Sequence, residues 1–315
     1  VLMGKIFVTG HRGMVGSALV RAFKKQSSDN QFLLAGREEL DLLDQTSVEK
    51  FIERERPDTV INAAAKVGGI HANNTYPADF IYQNLLVNTN LIHSAWKYGV
   101  NRFFNLGSSC IYPRDCQQPI KEEYLLTGPL EKTNEAYALA KIAGLEMTRH
   151  YRNQYNVLFH SGMPTNLYGP GDNYHSENSH VLPAMIRRFH EATEANANEV
   201  VIWGTGKPRR ELMHVDDLAS GVLFILGLEQ PPDWVNLGTG IDHSILEIAQ
   251  LVKKVTGFQG QIVNDLTKQD GMPVKRLDVT LVNSLGWKAL IPFEKGVQSA
   301  YEDFLQALKN GTARL

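Results

Sequence analysis

The chain has 315 residues, of which 43% are hydrophobic and 21% are charged, and its formal net charge at pH 7 is −2. This is the balance of an ordinary globular protein, and it excludes binding to nucleic acid or a membrane surface through net charge. No stretch reaches the roughly 18 apolar residues of a membrane helix, and two cysteines are too few for a disulfide-stapled secreted fold. We therefore expect a cytosolic protein without a metal site.

Short apolar runs alternate with amphipathic stretches through the first half of the chain. Strands are predicted at KIFVTG, QFLLAG, DTVINAAA, RFFNLGSS and NVLFHSG. Helices are predicted from about Val15, in SVEKFIERERP, in DFIYQNLLVNTNLIHSAWKYG and over 136–155. The alternation indicates βαβ units. The predicted fold class is α/β, with a Rossmann-like, doubly wound parallel sheet.

The pattern changes after Pro164, where TNLYGPGDNYHSENSH predicts a long functional loop. Beyond it, VLPAMIRRFHEATEA and SILEIAQLVKKVTG favour helices, and EVVIWG and WVNLG favour strands. We predict a nucleotide-binding domain over residues 1–164, rejoined by part of 213–245, and a smaller α/β substrate lobe over 165–315.

Three glycines stand between the first predicted strand and the first helix. Gly10, Gly13 and Gly16 have a G-x-x-G-x-x-G spacing, in the segment VTGHRGMVG. Glycines there allow a tight turn and a close approach to a pyrophosphate at a helix N-terminus. A turn that only connects strand to helix is the alternative. The strand-turn-helix context favours dinucleotide binding.

The end of the second strand indicates which dinucleotide is bound. Enzymes that prefer NAD usually carry a carboxylate there, whereas here Arg37 follows the strand, and Arg12 lies in the glycine loop. Two guanidinium groups can bracket a 2′-phosphate, which favours NADP(H). Because Glu38 and Glu39 follow at once, a simple surface salt bridge is the alternative for Arg37.

The chemical residues cluster after the fourth strand and on the helix that follows. Tyr137 and Lys141 form Y-x-x-x-K, so both emerge on one helix face. A cationic Lys141 would lower the pKa of Tyr137 from about 10 toward neutrality. Ser108 would hold a substrate oxygen, since ligands bind at the carboxyl ends of such strands. Cys110, in GSSCIYP, is either a reactive thiol or a small buried hydrophobe.

The chain resembles the extended short-chain dehydrogenase/reductase family over nearly its whole length. The motifs are GHRGMVGSA, AAAKVGGIHANNTYPADFIYQN, LGSSCIYP, NEAYALAKIAG, MPTNLYGPGDN, SHVLPAMIRRFHEA and WGTGKPRRELMHVDD. The resemblance implies an NADPH-dependent enzyme that epimerises GDP-4-keto-6-deoxymannose at C3 and C5 and reduces it at C4. It also implies a homodimer built on helices 79–98 and 136–155, although their periodicity would equally let them cover the sheet.

The resemblance also assigns roles to individual residues. It implies a reductase triad of Ser108, Tyr137 and Lys141, and an acid/base pair of Cys110 and His180. Implied cofactor contacts, besides the three glycines and two arginines, are Met14, Val15, Leu106, Gly107, Lys141, Pro164, Asn166, Leu167 and His180. Implied GDP-sugar contacts are Arg188, Trp203, Arg210 and Asp270. The adjacent Arg209 leaves the arginine assignment open by one position.

Two other functions stay open on the sequence. One is another nucleotide-sugar 4-epimerase or 4,6-dehydratase, and the other is a non-catalytic NADP(H)-sensing module. A dehydratase usually needs a carboxylate close to the place where Cys110 stands. A sensor needs the glycine loop but has no use for Tyr137, Lys141, Cys110 and His180 together. The residues do not indicate which of Cys110 and His180 acts first as the base, or the order of the two epimerisations.

Overall fold

A computed structural model of the chain describes residues 4–26, 30–176 and 178–315. Its strands are β1 (Lys5–Thr9), β2 (Gln31–Leu33), β3 (Thr59–Asn62), β4 (Arg102–Leu106), β5 (Leu158–Pro164), β6 (Asn166–Tyr168), β7 (Glu199–Trp203), β8 (Arg209–His214), β9 (Trp234–Leu237), β10 (Asp242–Ser244), β11 (Gln261–Asp265) and β12 (Val274–Lys275). Its helices are α1 (Met14–Gln26), α2 (Gln45–Glu55), α3 (Ile70–Thr75), α4 (Pro77–Lys97), α5 (Glu135–Tyr155), α6 (Val181–Glu194), α7 (Val215–Leu226), α8 (Ile245–Thr256), α9 (Thr280–Leu285) and α10 (Phe293–Lys309).

The main sheet has six parallel strands in the order β2-β1-β3-β4-β5-β9. Its central strands are apolar and buried: β3 is buried at every position, and Phe7, Phe103 and Phe104 have 1% exposure or less. Strands covered on both faces bury continuous apolar runs, and this confirms the predicted α/β fold. The chain turns to β2 on one side of β1 and to β3 on the other. Ligands bind beyond the carboxyl ends of the strands at such a reversal.

A smaller lobe carries the remaining strands. Strand β8 lies between β10 and β12 and also pairs with β6, while β7 pairs with β11. Helices α6, α8 and α10 cover these strands through an apolar cluster that includes Phe189, Ile248 and Phe304. Strand β9 returns to the main sheet beside β5. The domain limits at residues 164 and 165 stay a prediction.

Five strands were not predicted from the sequence: β6, β8, β10, β11 and β12. Strand β6 lies in the segment that we expected to be a loop, and β8 covers the arginine-rich stretch RRELMH. Each is short or polar, and β6 is stabilised by pairing with β8, a partner more than 40 residues away. In the described part of the chain, no helix is both long and apolar enough to cross a membrane.

Candidate active site

The glycine loop joins β1 to α1 as a backbone-lined turn. Gly10 has a φ of +64°, and a Cβ there would lie 2.8 Å from the carbonyl oxygen of Ala63. A Cβ at Gly16 would collide with the carbonyl group of Gly10. Only glycine therefore allows this close approach, directly before the first turn of α1 at Met14. This cradle fits the pyrophosphate of a dinucleotide at a helix N-terminus.

The two predicted phosphate-binding arginines lie at the rim of this loop. The Arg12 guanidinium is 2.6 Å from the carboxylate of Glu38, and both side chains are mostly exposed. Arg37 is exposed next to this pair. The fold thus brings Arg12 to the end of β2, as binding of a 2′-phosphate requires. An exposed salt bridge is worth little, so Glu38 can give way to a phosphate. The roles of both arginines stay predictions.

The predicted reductase residues meet where β4 ends and α5 begins. Ser108 follows β4, and its Oγ accepts a hydrogen bond of 3.2 Å from the backbone N–H of Cys110. Tyr137 and Lys141 lie one turn apart on α5, with Lys141 Nζ 5.8 Å from the centre of the Tyr137 ring. Lys141 Nζ donates a hydrogen bond of 2.7 Å to the carbonyl of Leu106. The three predicted triad side chains therefore share one site.

The electrostatics of the triad differ from the expectation. Burial raises the pKa of Tyr137, Cys110 raises it further, and a hydrogen bond with Ser108 lowers it in part. Burial lowers the pKa of Lys141 to about 8. The prediction that Lys141 brings the pKa of Tyr137 toward neutrality is wrong for this arrangement, because desolvation of the phenol dominates. Tyr137 is therefore protonated at neutral pH and can act as a proton donor.

Cys110 lies among polar groups rather than in a packed aliphatic core. Its Sγ accepts a hydrogen bond of 3.4 Å from Lys275 Nζ. Burial raises the pKa of the thiol, but the Lys275 charge and hydrogen bonds from Ser108, Lys275 and Asn134 outweigh it, so the pKa lies below its ordinary value. A lowered pKa favours the reactive thiolate at neutral pH.

His180 precedes the first turn of α6, and its side chain does not cap the helix. Desolvation by neighbouring protein atoms lowers the pKa of this imidazole, although part of its surface stays exposed, and the charge of Lys275 lowers it further. Lys275 therefore acts electrostatically on both Cys110 and His180. This shared neighbour links the two residues across about 70 positions of sequence, since the ammonium group is near both.

The other predicted cofactor residues lie along the same edge of the main sheet. Asn166 Nδ2 donates a hydrogen bond of 3.1 Å to the backbone carbonyl of Glu211. The backbone N–H of Gly107 donates to the carbonyl of Gly162 at 2.8 Å. The remaining members stand at the start of α1, at the ends of β4 and β5, and in β6: Met14, Val15, Leu106, Pro164 and Leu167.

Comparisons with known proteins agree with this geometry. Residues 6–238 match the model of the NAD dependent epimerase/dehydratase family. The chain belongs to the NAD dependent epimerase/dehydratase family.

Three relatives within this family are similar over nearly their full length. The chain is 54% identical to GDP-L-fucose synthase 1 of Arabidopsis thaliana, covering 97% of this chain and 94% of the relative. It is 51% identical to GDP-L-fucose synthase of Escherichia coli K12, covering 96% and 97%. The crystal structure of a GDP-L-fucose synthetase from Naegleria fowleri bound to NADP superposes with a TM-score of 0.91 at 29% identity, covering 100% of this chain and 98% of that one.

Three of the four predicted GDP-sugar residues of this chain form a second cluster, around the carboxyl end of β7. Trp203 is 65% exposed, with Lys268 Nζ 5.5 Å from its ring centre. Asp270 accepts hydrogen bonds from the backbone and hydroxyl of Thr205, at 2.8 and 2.6 Å. Arg188 donates to the carbonyl of Val201 at 2.8 Å. An exposed indole beside cations is suited to stacking on a base.

The two adjacent arginines of β8 have different partners. Arg209 pairs with the carboxylate of Asp242 at 2.5 Å and with Glu247 at 3.4 Å. Arg210 instead donates to two backbone carbonyls, those of Arg209 and Met272, at 2.8 and 2.6 Å. Its charge is not neutralised by a carboxylate among the described residues, so Arg210 is the better candidate for a diphosphate ligand.

Sequence reasoning missed Lys275 and Glu211. Lys275 lies in the unremarkable stretch DGMPVKRLD, and a single lysine there has no spacing that predicts a site. Glu211 has 0% exposure and accepts hydrogen bonds from the backbone N–H groups of Thr239, Gly240 and Leu277. A glutamate next to two arginines in the sequence indicates a surface ion pair. Its burial depends on strand pairings that the sequence does not reveal.

Proposed function

We propose that this chain is an NADPH-dependent epimerase-reductase that converts GDP-4-keto-6-deoxy-D-mannose to GDP-L-fucose. The observation that carries the proposal is a thiol of lowered pKa, Cys110, next to Ser108 and Tyr137. A simple ketone reductase does not need such a thiol. The similarity to GDP-L-fucose synthases over nearly the whole chain supports the same activity.

Epimerisation uses the acidity of hydrogens beside a ketone. In this proposal, Cys110 and His180 remove and return protons on opposite faces of the sugar at C3 and C5, since thiols and imidazoles titrate near neutrality. The enolate formed on the way places charge on the C4 oxygen. Donors from Ser108 and Tyr137 stabilise that charge where it develops.

Reduction uses the same ketone position. NADPH supplies the hydride to C4. Tyr137, which stays protonated because burial raises its pKa, gives its proton to the oxygen. Lys141, fixed on the carbonyl of Leu106, holds positive charge beside the phenol as the proton leaves. One oxygen-binding site thus serves epimerisation and reduction.

The substrate nucleotide is proposed to bind on the smaller lobe. Arg210 and Arg188 supply guanidinium groups for the diphosphate, Trp203 stacks on the guanine base, and Asp270 lies beside them. We assign residues 1–164 to NADP(H) binding and 165–315 to GDP-sugar binding. We also propose a cytoplasmic homodimer. Both cysteines are free, as in a reducing compartment.

The direct test is to mix the purified protein with GDP-4-keto-6-deoxy-D-mannose and to follow NADPH absorbance and the product sugar. We expect stoichiometric NADPH oxidation and GDP-L-fucose, without any added protein. Tyr137→Phe should lower this rate by about a thousandfold or more. Absence of NADPH oxidation by the native protein would contradict the proposal and leave a sensor. Release of water from the sugar instead would indicate a dehydratase.

Cys110→Ser separates the two chemistries. A hydroxyl has a far higher pKa than a thiol, so hydrogen exchange at C3 and C5 should fall by at least a hundredfold in deuterated water. Mass spectrometry of the sugar measures the exchange, and NADPH binding serves as the control that the site is intact. Exchange at the native rate would remove Cys110 from the mechanism.

A further inference from the structure

The backbone that carries Lys275 is held on both sides. Lys275 is in register with Arg210 in the parallel pairing of β12 with β8. On its other side, Ile120 N–H donates to the Arg276 carbonyl at 2.8 Å, and Asp278 N–H donates to the Ile120 carbonyl at 2.7 Å. These backbone hydrogen bonds on both sides fix the position from which the lysine side chain extends.

The Lys275 ammonium reaches the thiol instead of an acid. Its Nζ lies 3.4 Å from Cys110 Sγ. Across the described residues, no carboxylate forms an ion pair with this group, and the side chain is partly buried. Opposite charges at such a distance stabilise each other, and more strongly at a partly buried site than in water. A thiolate is therefore the available counter-ion.

The other groups that face Cys110 do not supply this charge. Ser108 and Asn134 give neutral hydrogen bonds, and Tyr137 is protonated near neutral pH because its pKa is raised. Desolvation and Lys275 itself lower the pKa of His180, so this imidazole holds a proton less readily than usual. Among the groups that act on the thiol, Lys275 alone brings a positive charge.

We infer that Lys275 is a positioning residue that holds Cys110 as a thiolate beside the substrate ketone. The sulfur takes the proton of a C–H bond next to the ketone, and the bonding electron pair passes into the enolate. His180 in its protonated form then gives its proton to the opposite face of that carbon and is left as a neutral imidazole. This chemistry rests on the proposed function. The ion pair itself does not require a substrate, so it can be tested without one.

The test measures how the alkylation rate of Cys110 by iodoacetamide depends on pH, with no sugar nucleotide present. Mass spectrometry of the peptides distinguishes Cys110 from Cys116. In Lys275→Met, the midpoint of the profile should rise by about one pH unit, which makes alkylation about tenfold slower below the midpoint. Lys275→Arg should keep the native midpoint. Lys254→Met removes a lysine that is 70% exposed and paired with Glu294, and should leave the profile unchanged.

A native midpoint that Lys275→Met leaves in place would overturn the inference, whatever the activity. An arginine variant with the same raised midpoint as the methionine variant would also overturn it, because only packing would then matter. If Lys275→Met does not fold, Lys275→Arg and Lys275→Gln give the same comparison of charge at similar length. A midpoint shift in a protein that turns over no GDP-sugar would support the ion pair and refute the proposed function.

Discussion

Individual side chains in this protein have titration behaviour set by their surroundings rather than by their type. Lys275 favours the charged form of Cys110, whereas desolvation and the same lysine favour the neutral form of His180. One cation therefore favours the thiolate form of Cys110 and makes a protonated His180 more acidic. The effect depends on a partly buried location, where charges are screened less than in water.

His160 shows the same principle away from chemistry. Its side chain has 0% exposure, lies 5.2 Å from the ring of Phe104, and makes one hydrogen bond, from Nδ1 to the Leu158 carbonyl. Burial lowers its pKa to about 3. The folded state therefore excludes a proton that the unfolded state binds below its ordinary pKa of about 6.5.

We predict that His160 makes the fold less stable as the pH falls from 8 to 5. Because the unfolded state takes up the proton, the free energy of unfolding should drop by about 2 kcal/mol from this residue alone. Urea unfolding of the native protein and of His160→Leu at both pH values measures it. The variant should lose less stability on acidification, and an equal loss in both proteins would contradict the prediction.

At the scale of elements, strand β8 connects the two parts of the site. It pairs with β10, with β6, which carries the predicted cofactor residues Asn166 and Leu167, and with β12, which carries Lys275. Glu211, in the middle of β8, accepts hydrogen bonds of 2.6, 2.8 and 2.7 Å from Thr239, Gly240 and Leu277. Two backbone segments are thus fixed by one buried carboxylate.

Glu211→Ala should lower the free energy of unfolding by about 3 kcal/mol, because it leaves buried N–H groups without acceptors. Since Leu277 is one of those donors, the strand of Lys275 should loosen and the alkylation midpoint of Cys110 should rise. The matched control is Glu199→Ala, an exposed strand glutamate, with an expected change within about 0.5 kcal/mol. Equal effects of the two substitutions would exclude this stabilising role of Glu211.

At the scale of the whole molecule, the proposed site takes its residues from the parallel sheet and from the smaller lobe. Ser108, Tyr137 and Lys141 come from the sheet side, and His180, Arg210 and Lys275 come from the lobe. Neither half holds a complete set of proposed groups. Helices α4 and α5 pack against each other on the outside of the sheet, and they still expose Tyr82 at 62% and Leu139 at 43%.

We predict that this helix pair forms the homodimer interface. Leu139→Glu would bury a charge there, so light scattering after gel filtration should show a mass near 35.2 kDa in place of about twice that value. Leu305→Glu, at a leucine that is 38% exposed on α10, is the matched control and should stay dimeric. A native protein that is monomeric at micromolar concentration would refute the interface.

The sequence alone indicated the elements whose signals are local. Alternating apolar and amphipathic runs predicted the strands and helices of the main sheet, because the periodicity of apolar residues is visible within each short segment. The spacing of Gly10, Gly13 and Gly16 predicted the dinucleotide turn for the same reason. Strand β6 was missed because three residues carry no period, and its stability comes from pairing with β8.

The tertiary structure decided what depends on neighbours that are distant in the chain. The sequence pointed to Cys110, but its lowered pKa comes from Lys275, 165 positions later. The direction of the Tyr137 shift also follows from burial, which no residue type predicts. Desolvation and charge act through space and fall off over a few ångströms, so only the folded arrangement determines which side chains feel them.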